Sequence, residues 1–146
     1  MSQDAIISRL HGSIQLAARD LLYRADAEGI RLVITQGFRT YAEQDALYDK
    51  RPKVTNARGG DSWHNFGLAF DVAPLDAHGK PSWPEDMKLW TRIGEIGEAV
   101  GCEWGGRWKK PDLPHFQHRG GLTLAAARLG ERPRYNAGHV PEEFPL

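Results

Sequence analysis

The sequence predicts an α+β domain, and three observations carry that expectation. Apolar stripes at helical spacing alternate along the chain with short β-branched runs instead of segregating into blocks. The 146 residues suit one domain built on one core. The 16 glycines are about 11% of the chain against a usual ~7%, so many tight turns must join short elements.

Ile14, Ala17, Ala18, Leu21, Leu22 and Ala25 form one stripe of an amphipathic helix, with Ser13 as the predicted cap and Gly29 as the stop. The β-branched run Ile30–Thr35 reads as a strand. Thr40 and Glu43 have capping-box spacing, which starts a second helix running to about Lys50. Residues 51–63, with Pro52, Gly59 and Gly60, read as a loop, and Leu68–Val72 as a strand. A second loop spans Pro74–Pro84. Ser82 and Glu85 repeat the capping-box spacing ahead of a third helix, whose apolar positions are Leu89, Ile93, Ile96 and Val100 and which ends at Gly101. Trp104–Trp108 is too glycine-rich to be regular, Pro114–His118 suits a short strand, and Leu122–Leu129 a last short helix. Residues 1–130 are thus expected to form one domain, and 131–146, with Pro133, Pro141 and Pro145, an irregular tail.

Nineteen basic and nineteen acidic residues balance to zero, which argues against a nucleic-acid partner. The longest apolar run, Leu124–Ala127, is far too short for membrane insertion. The first residues lack the basic and apolar regions of a secretory signal, and Cys102 is the sole cysteine, so synthesis in a reducing cytoplasm is expected. The balance hides an asymmetry. Residues 104–134 hold seven basic side chains and two acidic ones, either a solvated face or a surface for an anionic polymer.

Six histidines must be sorted, and two sit in informative settings. His64 and Asp71 are seven residues apart, an odd separation that would put them on opposite faces of a straight strand. They converge only if the chain turns between them, and Gly67 tolerates such a turn. Ala69 would leave room on the same face as Asp71. Alone, the pair fits a structural His–Asp contact as well as two metal ligands. His115, just after Pro114, would complete a set of three ligands, with Asp112 facing the same ion. His118 lies on the other face of the same short strand. Trp63, Phe66, Trp104 and Trp108 surround these residues as groove walls or as core, and Ser62 either orients a ligand or caps a turn.

The segment Ser62–Asp71 has the form Ser-x-His-x-x-Gly-x-Ala-x-Asp, and Asp112-x-x-His115 follows it. Together they resemble the zinc peptidases of the D-alanyl-D-alanine carboxypeptidase type. Within that family they are most similar to the L-alanyl-D-glutamate endopeptidase branch, which includes single-domain phage endolysins. Gly37–Tyr48 resembles the family's glycine–aromatic–arginine turn and following helix, and Glu103–Gly106 its tryptophan–glycine turn. Arg107 departs from the endolysin-like pattern, which more often has an acidic residue there.

The resemblance implies a small antiparallel sheet with flanking helices, of the hedgehog/D-Ala-D-Ala metallopeptidase kind. It implies that His64, Asp71 and His115 bind zinc, that Asp112 is the catalytic carboxylate, and that Arg39 contacts substrate. Asp112, where many carboxypeptidase relatives have Glu, favours the endopeptidase branch. The chemistry is consistent with those residue types. Zinc lowers the pKa of bound water towards ~7 and polarises the scissile carbonyl. An aspartate moves the proton, and an arginine holds the oxyanion or a substrate carboxylate. The implied partner is the peptidoglycan stem peptide, met by a monomer after release from the cytoplasm. Alternatives are a D-alanyl-D-alanine carboxypeptidase or dipeptidase, and a non-catalytic zinc-containing module that binds cell wall.

Overall fold

The computed structural model of the protein describes residues 1–139. Its centre is a four-stranded antiparallel sheet in the order β1-β2-β4-β3, formed by Leu32–Gln36 (β1), Ala69–Pro74 (β2), Glu103–Trp104 (β3) and His115–Gln117 (β4). Five helices flank it: Gln3–Ser8 (α1), Gly12–Ala27 (α2), Tyr41–Tyr48 (α3), Met87–Ala99 (α4) and Leu124–Arg128 (α5). The α+β class and the small antiparallel sheet are as the sequence implied. Among the described residues no helix is long and apolar enough to cross a membrane.

Alternation along β2 divides the sheet into two faces. Phe70 and Val72 point into the core with Ile34 and Phe116, beneath the apolar stripes of α2 and α4. Phe70 and Phe116, paired across β2 and β4, stack with centroids 5.8 Å apart. Asp71, between Phe70 and Val72, therefore faces away from the helices, as does its cross-strand partner His115. The sheet thus has one apolar face, packed against α2 and α4, and one polar face. A bulge between Ile34 and Gln36 in β1 turns Gln36 to the polar face, opposite Asp71.

Three local expectations need correction, and one helix was not anticipated. The cap of α2 is His11, whose Nδ1 accepts from the Ser13 amide at 3.1 Å, and Ser13 lies within the first turn. The cap of α4 is Asp86, whose Oδ1 accepts from Lys88 and Leu89. Ser82 cannot serve there because its amide and hydroxyl both donate to the Pro74 carbonyl. Glu103–Trp104 is strand instead of irregular loop, because β4 offers it a partner from elsewhere in the chain. The six-residue α1, capped by Ser2, had no periodicity long enough to announce it. The capping box at Thr40 and Glu43 is present as expected, although α3 stops at Tyr48, short of Lys50.

Residues 131–139 carry no helix or strand and lie along the body, where the Ala137 amide donates to the Ser13 carbonyl. The expected tail beyond them, residues 140–146, falls outside the described residues.

Candidate metal centre

The turn that the His64–Asp71 separation required is a 3-10 helix over Trp63–Phe66, ended by Gly67 in the left-handed conformation (φ 69°, ψ 23°). The reversal feeds directly into β2 and swings His64 over the face that Asp71 occupies. Ser62 starts the turn by accepting from the His64 amide. Asn65, buried, stitches it to the neighbouring segment: Oδ1 accepts from Gly60 and Ser62, and Nδ2 donates to the Arg39 carbonyl at 2.9 Å.

The structure brings His64, Asp71 and His115 together, with one ligand-type atom of each lying within 4.8 Å of the others. Asp71 Oδ1 is 3.4 Å from His64 Nε2 and 3.1 Å from His115 Nδ1. A tetrahedral ion with bonds of about 2.0–2.1 Å holds its ligand atoms roughly 3.3 Å apart, so these spacings suit one. The two rings present opposite nitrogens, and hydrogen bonding explains why. His64 Nδ1 donates to the Gly37 carbonyl at 2.8 Å, which leaves Nε2 with its lone pair towards Asp71. His115 Nε2 donates to Gln117 Oε1 at 2.8 Å, which leaves Nδ1 with its lone pair towards Asp71. Neutral imidazoles held this way aim two lone pairs at a carboxylate oxygen, an arrangement that a cation at their meeting point stabilises. The donor set of two imidazoles and one carboxylate fits zinc with a position left for water.

Burial opposes ionisation of Asp71, yet the adjoining His115 and His64 rings outweigh it and hold the carboxyl well below the usual range. Burial likewise opposes a charge on His115, but Asp71 and Gln117 beside it raise the ring's pKa.

Asp112 stands at the open side of the cluster, its Oδ2 4.0 Å from His115 Nδ1, with the side chain half exposed. Partial burial raises its pKa against the opposing pull of His115. Its backbone is fixed from two sides: the Asp112 amide donates to the Gly105 carbonyl at 2.9 Å, and Trp104 Nε1 donates to the Leu113 carbonyl. A side chain at Gly105 would press on the Asp112 carbonyl, so glycine there permits the approach. Arg107 anchors the same loop through a bidentate pair with Glu98 on α4.

Arg39 reaches the cleft from the other wall. Its Nη1 donates to Gln44 Oε1 at 2.8 Å and its Nη2 to Gln36 Oε1 at 3.3 Å, while the buried Nε has no partner. Gln44 is itself buried and donates to the Ala57 carbonyl. Burial lowers the Arg39 pKa, partly offset by Asp71, but a guanidinium stays charged. Two neutral amides hold it and no carboxylate among the described residues pairs with it, so its charge is available to a ligand.

These groups line a cleft of about 440 Å³, with Trp63 and Trp108 on its walls. Trp108 lies over His115, ring centroids 5.1 Å apart. Of the four aromatics weighed as groove walls, Phe66 and Trp104 are core instead, packed with Leu68 and with the main cluster respectively. His118 is buried away from the cluster and donates to the Tyr135 carbonyl. Within the basic stretch 104–134, Arg107 pairs with Glu98, Arg119 with Glu103 and Arg128 with Asp61, and Arg132 donates to backbone carbonyls. Sequence reasoning missed Gln36, Gln44, Asn65 and Gln117, uncharged amides that hydrogen-bond the charged and ligand-type residues or their backbone.

Comparison with known proteins follows the same residues. A family profile described as D-alanyl-D-alanine carboxypeptidase matches residues 55–118. The peptidoglycan L-alanyl-D-glutamate endopeptidase CwlK of Bacillus subtilis (strain 168) is 42% identical over 125 residues, 75% of this chain and 74% of CwlK. Among solved structures, the L-Ala D-Glu endopeptidase ChiX of Serratia marcescens superposes with a TM-score of 0.63 at 25% identity, over 86% of this chain and 89% of ChiX. The zinc-bound D,D-pentapeptidase VanY of a VanB-type resistance cassette shares the fold, with a TM-score of 0.56 at 17% identity over 82% of this chain and 76% of VanY.

Proposed function

The chain belongs to the D-alanyl-D-alanine carboxypeptidase-type peptidases, and on that premise we propose a zinc-dependent peptidoglycan endopeptidase that hydrolyses the L-alanyl-D-glutamate bond of the stem peptide. The observation that carries the metal chemistry is the meeting of His64 Nε2, Asp71 Oδ1 and His115 Nδ1 beside a half-exposed carboxylate. The bond assignment is supported by the activity named for CwlK and ChiX.

His64, Asp71 and His115 would hold the ion. When bound, zinc acidifies a coordinated water and polarises the scissile carbonyl. Asp112 Oδ2, on the open side of the cluster, accepts the proton of the attacking water and returns it to the departing amine nitrogen. Arg39, held by Gln44 and Gln36, binds the developing oxyanion or a carboxylate of the stem peptide. Trp63 and Trp108 flank the peptide and restrict water at the reacting carbonyl. Residues 1–130 form the catalytic unit in this reading, and the enzyme is released from the cytoplasm to act on the wall, as an endolysin does.

Purified peptidoglycan, digested with the zinc-loaded protein and analysed by mass spectrometry, distinguishes the readings. L-alanine should remain on the glycan side, with a new amino terminus on D-glutamate, and both products should vanish with chelator. Release of free D-alanine would assign a carboxypeptidase instead. Unchanged stem peptides at saturating zinc would leave only a binding module.

A further inference from the structure

On the reading that His64, Asp71 and His115 hold a metal ion, we propose that Gln117 is the positioning residue for His115, its amide oxygen fixing which ring nitrogen faces the ion. In β4 the two residues lie two apart on the same face of the sheet, so their side chains are neighbours by geometry. Gln117 Oε1 stands 2.8 Å from His115 Nε2, with both residues buried, 4% and 6% exposed. An amide oxygen only accepts, so Nε2 must carry the hydrogen, and in the neutral ring Nδ1 is left to bind the ion. Water cannot easily substitute at so buried a contact. Without Gln117 the Nε2–H would lose its acceptor, and the ring would be free to change tautomer or rotate.

The choice of an amide also has a consequence for charge. Asp71 and Asp112 already place two carboxyl groups around the cleft. A glutamine orients His115 without adding a third. His64 needs no such side chain, because the Gly37 carbonyl does the same work for it from the backbone. His115 is thus the ligand whose orientation depends on one replaceable residue.

Two readouts that use no peptidoglycan test the role. Zinc affinity is measured by competition with a chromophoric chelator, and the ring nitrogen of His115 that keeps its hydrogen in the zinc-loaded protein by long-range ¹H–¹⁵N correlation. Gln117→Leu should bind zinc roughly 10–100-fold more weakly and lose the Nε2–H pattern. Gln117→Glu, which keeps an acceptor oxygen, should restore both. If Gln117→Leu does not fold, Gln117→Asn withdraws the oxygen by one methylene and should show the same losses. Zinc affinity within twofold of the parent protein in a folded Leu or Asn variant, or an unchanged tautomer, would overturn the proposal. A parent protein that binds zinc but leaves peptidoglycan intact would overturn the endopeptidase reading alone.

Discussion

Replacing Gly67 by alanine perturbs the one turn that lets His64 and Asp71 meet. At φ 69° and ψ 23° the residue is left-handed, which costs an L-amino acid roughly 1–2 kcal/mol. An added Cβ would also lie 2.9 Å from the His11 amide nitrogen, which donates to the Gly67 carbonyl at 2.8 Å. Both partners are backbone, so the strain cannot be relieved by a side-chain rotation, and overpacking of this sort costs about 1–3 kcal/mol. The sum is about 2–5 kcal/mol, or a fall in Tm of about 5–15 °C for a chain of this size. Thermal unfolding followed by circular dichroism, without metal, reads that loss. Zinc affinity should fall in parallel, because the same turn carries His64. Gly67→Asn separates the two contributions: asparagine tolerates the left-handed region better but still carries the Cβ, so it should lie between glycine and alanine. An alanine variant that melts within about 1 °C of the parent and binds zinc equally well would refute the reasoning.

Asp112→Asn should lower kcat by about 10²–10⁴-fold while zinc content, read by atomic absorption, stays at one per chain. Lost zinc would make Asp112 a ligand instead. Arg39→Ala should cost about 10²–10³-fold in kcat/KM, and Arg39→Lys should recover little of it, because an ammonium cannot reproduce the fork held by Gln44 and Gln36. Full recovery by lysine would reduce Arg39 to a point charge. Cys102, whose thiol burial pushes up to about 12, should resist alkylation at pH 8 in the folded protein. The sign of its linkage follows: an unfolded thiol ionises near ~8.5 and the folded one does not, so the unfolded state binds fewer protons and stability falls as pH rises. Between pH 8 and 10, urea unfolding of the parent should therefore lose about 1.9 kcal/mol more than that of Cys102→Ala. Equal losses would show that the thiol is not protected.

The set of His64, Asp71 and His115 was carried by the resemblance of the two motifs, while local spacing showed how the three could meet. The odd separation of His64 and Asp71 demanded a turn, Gly67 could make it, and the short strand after Pro114 could present only one of His115 and His118 to a given face. The capping box of α3 was legible for the same reason, since both of its bonds close within four residues. What stayed hidden depends on distant partners. Glu103–Trp104 becomes strand only beside β4, and Arg107, Arg119 and Arg128 meet their partners Glu98, Glu103 and Asp61 only in the folded chain. Gln36 reaches the polar face through a bulge that no sequence pattern marks. Gln117 and Gln44 carry no charge and so stood out in no motif, yet they hydrogen-bond His115 and Arg39.

In the proposed enzyme, three side chains from a 3-10 turn and two adjacent strands converge on one zinc ion. Anomalous diffraction at the zinc edge, from crystals of the zinc-loaded protein, tests it most directly. The prediction is a single strong peak bonded to His64 Nε2, Asp71 Oδ1 and His115 Nδ1, with Asp112 close by but not bonded. A peak at other residues, or none at this cluster with zinc in excess, would contradict it.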